Sequence, residues 1–349
     1  MMVKRFLIRV TFILITVLVF TGLDRLLCVK SDDGIDQARA LYYQPRNTVD
    51  VVFLGSSHVH FNINPAQLYA DYGIAGYDYS GAEQTAWETY YCFKEFLKYQ
   101  KPKAAVYELY SIARYCMDDY YYRFMEQNIF GMRFSPNKLA MLRASAEEDR
   151  LKDFFPAFGV YHSRWNDLSE EDFRAVFHMG GDLRNFKGYK AGFHTVVQER
   201  PAPPTEDFGS LGKKAEEYLR KLIQLARDEG IALYFIVTPY RILEEDQMVY
   251  NRLERIAEEE GVPFCNYNWL DREIGIVWEE DFNDDTHLNY GGSIKFTDYI
   301  GKDLKKMYPE LPDRRGDGRY ISWVRNGEII AENAERRLAE IKEGVYEQE

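Results

Sequence analysis

The chain has 349 residues and a net charge of -12, with a pI near 5.2. It is long enough for one large domain or two ordinary ones around a substantial core. The acidic balance argues against a nucleic-acid partner, because neutralising phosphates takes clustered Lys and Arg that this sequence concentrates nowhere. Its 27 Tyr and 22 Phe point first to an aromatic-rich core and second to surfaces that meet sugars or headgroups. Cys28, Cys92, Cys116 and Cys265 are scattered without C-x-x-C spacing, so they read as buried thiols rather than a zinc site or a disulfide framework.

In chain order, Lys4, Arg5 and Arg9 precede an apolar run from Val10 to Leu23. That charge order keeps the start of the chain in the cytoplasm and places the rest outside. From Phe6 the stretch spans about 27 Å as a helix, against a hydrocarbon core of about 30 Å. A cleaved signal is the alternative; the following Asp24-Arg25-Leu26-Leu27-Cys28 lacks a small-x-small cleavage pattern and favours an uncleaved single-pass anchor. Residues 1–29 are therefore expected to be a membrane anchor, with the remainder extracytoplasmic.

Beyond the anchor, strands and helices alternate. Val49 to Leu54 is an apolar run ending at Gly55, as a buried parallel strand does. Pro65 to Tyr72 reads as a helix, Ala75 to Tyr79 as a strand, Glu83 to Tyr99 as a helix and Ala104 to Leu109 as a third strand. Later come a helix over Leu211 to Arg227, the plainest strand of the chain over Ile231 to Val237, a helix over Leu243 to Glu260, a strand over Val262 to Tyr267 and a last core helix over Gly292 to Met307. This order predicts an α/β fold, a flavodoxin-like doubly wound parallel sheet over residues 30–310. Residues 110–205 break the alternation as a large helical or irregular insertion, read either as a lid or acceptor-binding element over the crevice or as a helical subdomain without substrate contact. The charged tail, 311–349, is expected to hold a largely solvated helix over Ile329 to Tyr346.

Two remote motifs carry the chemistry. Gly55-Ser56-Ser57-His58 follows the first strand, and Asp284-Asp285-Thr286-His287 precedes the last helix. A serine hydroxyl needs a base to take its proton and a carboxylate to orient that base. Both motifs fall at the sheet edge where such folds bind ligands. Asp285 competes with Asp284 as the orienting group, and without the downstream pair Ser57 would read as an ordinary loop cap. His58 and His60 alternate without a third ligand, so no metal is expected and packing or substrate contact is the better reading. His178 and His194 have no supporting context.

Gly55-Ser56-Ser57, Gly81 after the second strand and Asp284-x-x-His287 resemble the SGNH or GDSL hydrolase superfamily. With the N-terminal anchor, Tyr161-His162-Ser163-Arg164-Trp165, Thr238-Pro239 and His287-Leu288-Asn289, the chain is most similar to its membrane-anchored branch, which includes DltD and the AlgJ/AlgX-type acetylation proteins. The resemblance spans roughly residues 48 to 308. It implies Ser57 as nucleophile, His287 as general base and then acid, and Asp284 as its orienter, with the backbone N–H groups of Ser57 and Gly81 as oxyanion donors. His58, Gln84, His162 and Arg164 become candidate substrate-binding residues, Gln84 as a substitute oxyanion donor. Two departures stand out: Ser56 replaces the Asp of the G-D-S block, and Val106-Tyr107-Glu108-Leu109 stands where an Asn donor is usual, with Glu108 unable to donate when ionised.

The implied activity is O-acyl transfer or ester hydrolysis on a cell-surface polysaccharide or teichoic-acid-type polymer through an acyl-Ser57 intermediate, beside a membrane-bound O-acyltransferase and without a cofactor. The alternatives are a non-catalytic scaffold for such an acyltransferase and a cytoplasmic hydrolase.

Overall fold

The computed structural model describes residues 2–29, 31–115, 124–154, 161–177, 183–201 and 203–345. Cys116, Tyr120 to Tyr122 and His178 lie outside them. Five parallel strands form one sheet in the order β2-β1-β3-β4-β5: β1 Val51–Gly55, β2 Gly76–Ser80, β3 Ala104–Glu108, β4 Ala232–Val237 and β5 Phe264–Asn266. The doubly wound α/β sheet expected from the alternation is the one observed, with every strand end within two residues of its predicted position.

The helices are α1 Met2–Leu27, α2 Ile35–Leu41, α3 Ser57–Asn62, α4 Pro65–Tyr72, α5 Ala86–Phe96, α6 Tyr110–Tyr115, α7 Met125–Ile129, α8 Pro136–Ser145, α9 Glu170–Phe177, α10 Lys213–Asp228, α11 Glu244–Glu260, α12 Asp271–Ile274, α13 Tyr290–Met307 and α14 Ile321–Lys342. Period-two side-chain alternation divides the strand residues between two cores. Val52, Leu54, Ala105, Tyr107, Phe235 and Val237 pack with Trp87, Phe93, Leu219 and Leu253 from α5, α10 and α11. Val51, Phe53, Val106 and Ile236 face the other way, onto Leu68, Phe296, Ile300 and Leu304 from α4 and α13. Both faces are covered, which is why the strands read as continuous apolar runs.

Three features differ from expectation. A short helix, α3, begins at Ser57 where the sequence suggested a loop; Ser56 is its extended N-cap residue, and Asn64 and Pro65 then cap and open α4. The tail helix α14 starts earlier than predicted and is not a solvated appendage: Trp323, Asn326, Ile330 and Ala334 are buried, and the Trp323 indole donates to the Gly76 carbonyl at 2.9 Å. Within the insertion, Met141, Leu142 and Phe154 belong to the main core, so much of it is a helical buttress.

Helix α1 is long and apolar enough to cross a membrane, and none of its apolar window is buried. Its far end is different. Leu27 and Cys28 are buried, and the Leu27 carbonyl accepts a hydrogen bond from Arg164 at 2.7 Å.

Candidate active site

The sheet order places β1 and β3 side by side while their connections depart to opposite sides, which opens a crevice beyond their carboxyl ends. Ser57 leaves β1 into that crevice. Gly55 makes the exit possible: its φ is +137°, and an added Cβ would sit 2.7 Å from the Glu108 carbonyl oxygen.

Across the crevice, the loop before α13 carries His287, the candidate base. The Ser57 hydroxyl lies 2.7 Å from His287 Nε2, and both Asp284 carboxylate oxygens lie 2.9 Å from His287 Nδ1. Nδ1–H donating to Asp284 leaves Nε2 to accept the serine proton, the tautomer that nucleophile activation needs. Asp284 also accepts from the N–H groups of Thr286 and His287 at 2.9 and 3.0 Å, and from the Asn283 amide at 3.2 Å. Burial opposes its ionisation, but the hydrogen bond and charge of His287 and these added donors hold the carboxyl well below its ordinary range. Asp285 turns elsewhere, toward Gln198 at 3.5 Å.

The loop is pinned from several directions. Its Leu288 N–H donates to Asn62 Oδ1 at 3.0 Å, while Asn62 donates to Thr238 at 2.9 Å. The last stretch of the insertion runs alongside it: Val196 donates to the Phe282 carbonyl at 2.9 Å, Gln198 to Trp278 at 2.8 Å, and Gly192 accepts from Tyr290 at 2.7 Å. The His287 ring sits between Phe61 and His58, with centroids 4.6 and 4.9 Å away.

His58 is fully buried, stacked on Tyr110 at 3.7 Å, with Nδ1 3.1 Å from the Thr238 hydroxyl. Burial, then the neighbouring His287, pushes its pKa far down, so it is neutral. His60 faces another way, 3.1 Å from the Ser80 hydroxyl. Among the described residues no cluster of His, Cys, Asp and Glu has the makings of a metal site.

The remaining candidates fare unevenly. The Ser57 N–H, first in α3, has no carbonyl four residues back within the helix. The Gly81 N–H instead donates to the Gly55 carbonyl at 3.3 Å, so it serves an oxyanion only by exchanging that bond. Gly81 is sterically required, since a Cβ there would lie 2.1 Å from Asn128 Oδ1. Gln84 is spent on structure: its amide donates to Asn128 at 2.9 Å and its oxygen accepts from Thr89 at 3.1 Å, so the substitute-donor role is corrected. Arg164 is likewise committed, to the Leu27 carbonyl and the Asp172 carboxylate, and binds the end of α1 rather than offering a free guanidinium. His162, which opens the short 3-10 turn His162–Asn166, lies at the surface beside it.

Glu108 also departs from its sequence reading. It is fully buried, and burial raises its carboxyl to about 8, so at neutral pH it is mostly protonated and keeps a proton to donate.

Sequence reasoning did not single out Asn62, Tyr110 or Phe61. The spacing of Phe61 and Asn62 from Ser57 carries no signal until α3 is known to be a helix, and Tyr110 comes from α6. An apolar cavity of about 530 Å³ between α4 and α14, lined by Tyr69, Tyr290, Trp323 and Ile330 among others, contains none of the three triad residues.

No family model matches the chain, and neither does any curated protein. Among solved structures it is similar to a protein from Desulfitobacterium hafniense DCB-2 assigned to the G-D-S-L lipolytic family, at 12% identity and a TM-score of 0.37, over 72% of this chain and 97% of that one.

Proposed function

We propose that the protein is a membrane-anchored serine esterase or O-acyltransferase of the SGNH type. The observation that carries this reading is the hydrogen-bonded relay from Ser57 through His287 to Asp284, assembled from segments 230 residues apart. His287 takes the Ser57 proton as the hydroxyl attacks an ester carbonyl, and Asp284 steadies the imidazolium that results. The oxyanion is met by the Ser57 N–H, joined by Gly81 once it releases Gly55. His287 then protonates the leaving alcohol, giving acyl-Ser57. Water completes hydrolysis, and an acceptor hydroxyl completes transfer.

The basic residues ahead of the apolar run support an extracytoplasmic site. The burial of Leu27 and Cys28 in the folded domain supports retention of the anchor. A site held close to the membrane on the outer side suits a surface glycan or teichoic-acid-type polymer, with a membrane-bound O-acyltransferase as partner. Protease treatment of intact spheroplasts tests the topology: the domain is cleaved if it lies outside and protected if it lies within.

A second reading, a non-catalytic scaffold for such an acyltransferase, is favoured by one feature, the engagement of the Gly81 N–H with Gly55. A fluorophosphonate separates the two. Ser57-dependent labelling, together with release of acetate from an activated ester that Ser57→Ala abolishes, supports the enzyme; an unlabelled chain supports the scaffold.

A further inference from the structure

Glu108 ends β3 directly beneath the nucleophile turn, and donors from three strand ends converge on its carboxyl. The Tyr110 N–H donates to Oε1 at 3.1 Å. The N–H of Thr238, just after β4, donates to the same group. The hydroxyl of Ser56, the residue before the nucleophile, lies 3.5 Å from Oε2. Gly55 packs against the Glu108 backbone and Cβ so tightly that a Cβ of its own would fall within 3.1 Å of both Glu108 atoms. One buried carboxyl therefore joins β1, β3 and β4 where Ser57 leaves the sheet.

The groups facing it carry no compensating charge. They are the phenols of Tyr240, after β4, and Tyr250, on α11, with neutral His58 of α3 and Tyr110 of α6 in the same layer. Among the described residues no Lys or Arg pairs with it. The nearby Arg114 is bound to Asp246 at 3.0 Å. Protonated, the carboxyl still accepts from the two N–H groups and turns its own O–H toward Ser56. Ionised, it sets a negative charge in a low-dielectric place close to where the oxyanion forms.

We infer that Glu108 is a positioning residue for Ser57, an inference resting on the serine-esterase reading: as a neutral carboxyl it ties three strand ends into the seat of the nucleophile, and as a carboxylate it opposes the transition state.

The test is the pH dependence of p-nitrophenyl acetate cleavage by the full, detergent-solubilised chain, from about pH 6 to about pH 10, with Ser57→Ala as the blank. Wild type should lose kcat/KM on an alkaline limb near 8. Glu108→Gln cannot ionise, so its profile, scaled to its own plateau, should lack that limb. Ser56→Ala removes a donor that favours the ionised form, so its limb should move to higher pH. Glu108→Leu strands two N–H groups and should lower kcat about tenfold or more with KM little changed.

A readout independent of turnover is the infrared carbonyl stretch of a protonated carboxyl, taken as the wild-type minus Glu108→Gln difference. It should be present at neutral pH and vanish through the same range. An alkaline limb unmoved in both Glu108→Gln and Ser56→Ala overturns the inference, as does a missing difference band. No Ser57-dependent cleavage at any pH, with the band titrating as expected, instead overturns the esterase reading and the positioning role with it.

Discussion

Asn62 joins the two halves of the candidate active site: its side-chain oxygen accepts the Leu288 N–H at 3.0 Å while its amide donates to the Thr238 hydroxyl at 2.9 Å. It lies at the end of the helix that begins with Ser57, and Leu288 follows His287. One fully buried amide therefore helps to set the distance between Ser57 and His287. Asn62→Ala should leave the Leu288 N–H without its acceptor, costing about 1–3 kcal/mol of stability. Because a small misplacement of base and nucleophile is expensive, ester turnover should fall about a hundredfold. Urea denaturation and steady-state kinetics on the purified chain measure both effects; an unchanged kcat would mean that other contacts hold the loop.

Asp284→Asn keeps the shape of the orienting side chain but favours the wrong imidazole tautomer. Turnover should drop on the order of 10⁴-fold, and fluorophosphonate labelling should slow in parallel. Asp285→Asn should do far less, since Asp285 faces Gln198. Equal losses in the two variants would mean that either carboxylate orients the ring.

The sheet was legible because its strands, buried on both faces, appear as short β-branched and aromatic runs between helical segments. The triad residues were legible because each follows or precedes a recognisable element. Distance in sequence hid the supporting residues. Tyr110 reaches the site by stacking on His58, a relation with no sequence period; Thr238 stood in a recognised motif, but its bond to His58 across from β4 to α3 did not show. Gln84 and Arg164 misled because a polar residue near a motif looks the same in sequence whether it faces substrate or fastens the fold. The engagement of the Gly81 N–H was hidden for a similar reason, since a backbone bond to Gly55 leaves no trace in residue type.

His58 is neutral in the folded chain because burial, and then His287, lowers its pKa. In the unfolded chain it binds a proton near its ordinary pKa of about 6.5. The stability this neutral ring allows is thus complete above that value. It declines as pH falls toward the depressed folded value, by up to about 1.4 kcal/mol per pH unit. His60, also lowered by burial, adds in the same sense. Thermal melts across the acid range should show Tm falling below about pH 6.5 in wild type, and less steeply in His58→Phe. Identical slopes would place the acid sensitivity elsewhere.

Helix α14 packs on α4 and on the turn Leu183–Gly188, and reaches β2 through Trp323. Trp323 is fully buried, its indole donates to Gly76 in β2, and the Lys187 ammonium lies 4.2 Å from its ring centroid. Lys187 also donates to Gln44 and Ser322, both at 2.8 Å, so the end of the insertion, the region after α2 and the tail meet at one indole. Trp323→Ala removes that anchor and strands the Gly76 carbonyl, for an expected cost of about 3–5 kcal/mol. Trp323→Phe keeps most of the apolar contact but not the hydrogen bond, and should cost about 1–2 kcal/mol. Chemical denaturation gives the comparison, and removing the chain beyond Pro312 should be worse than either substitution. A truncated chain as stable as wild type would return the tail to the solvated appendage that its charged sequence suggested.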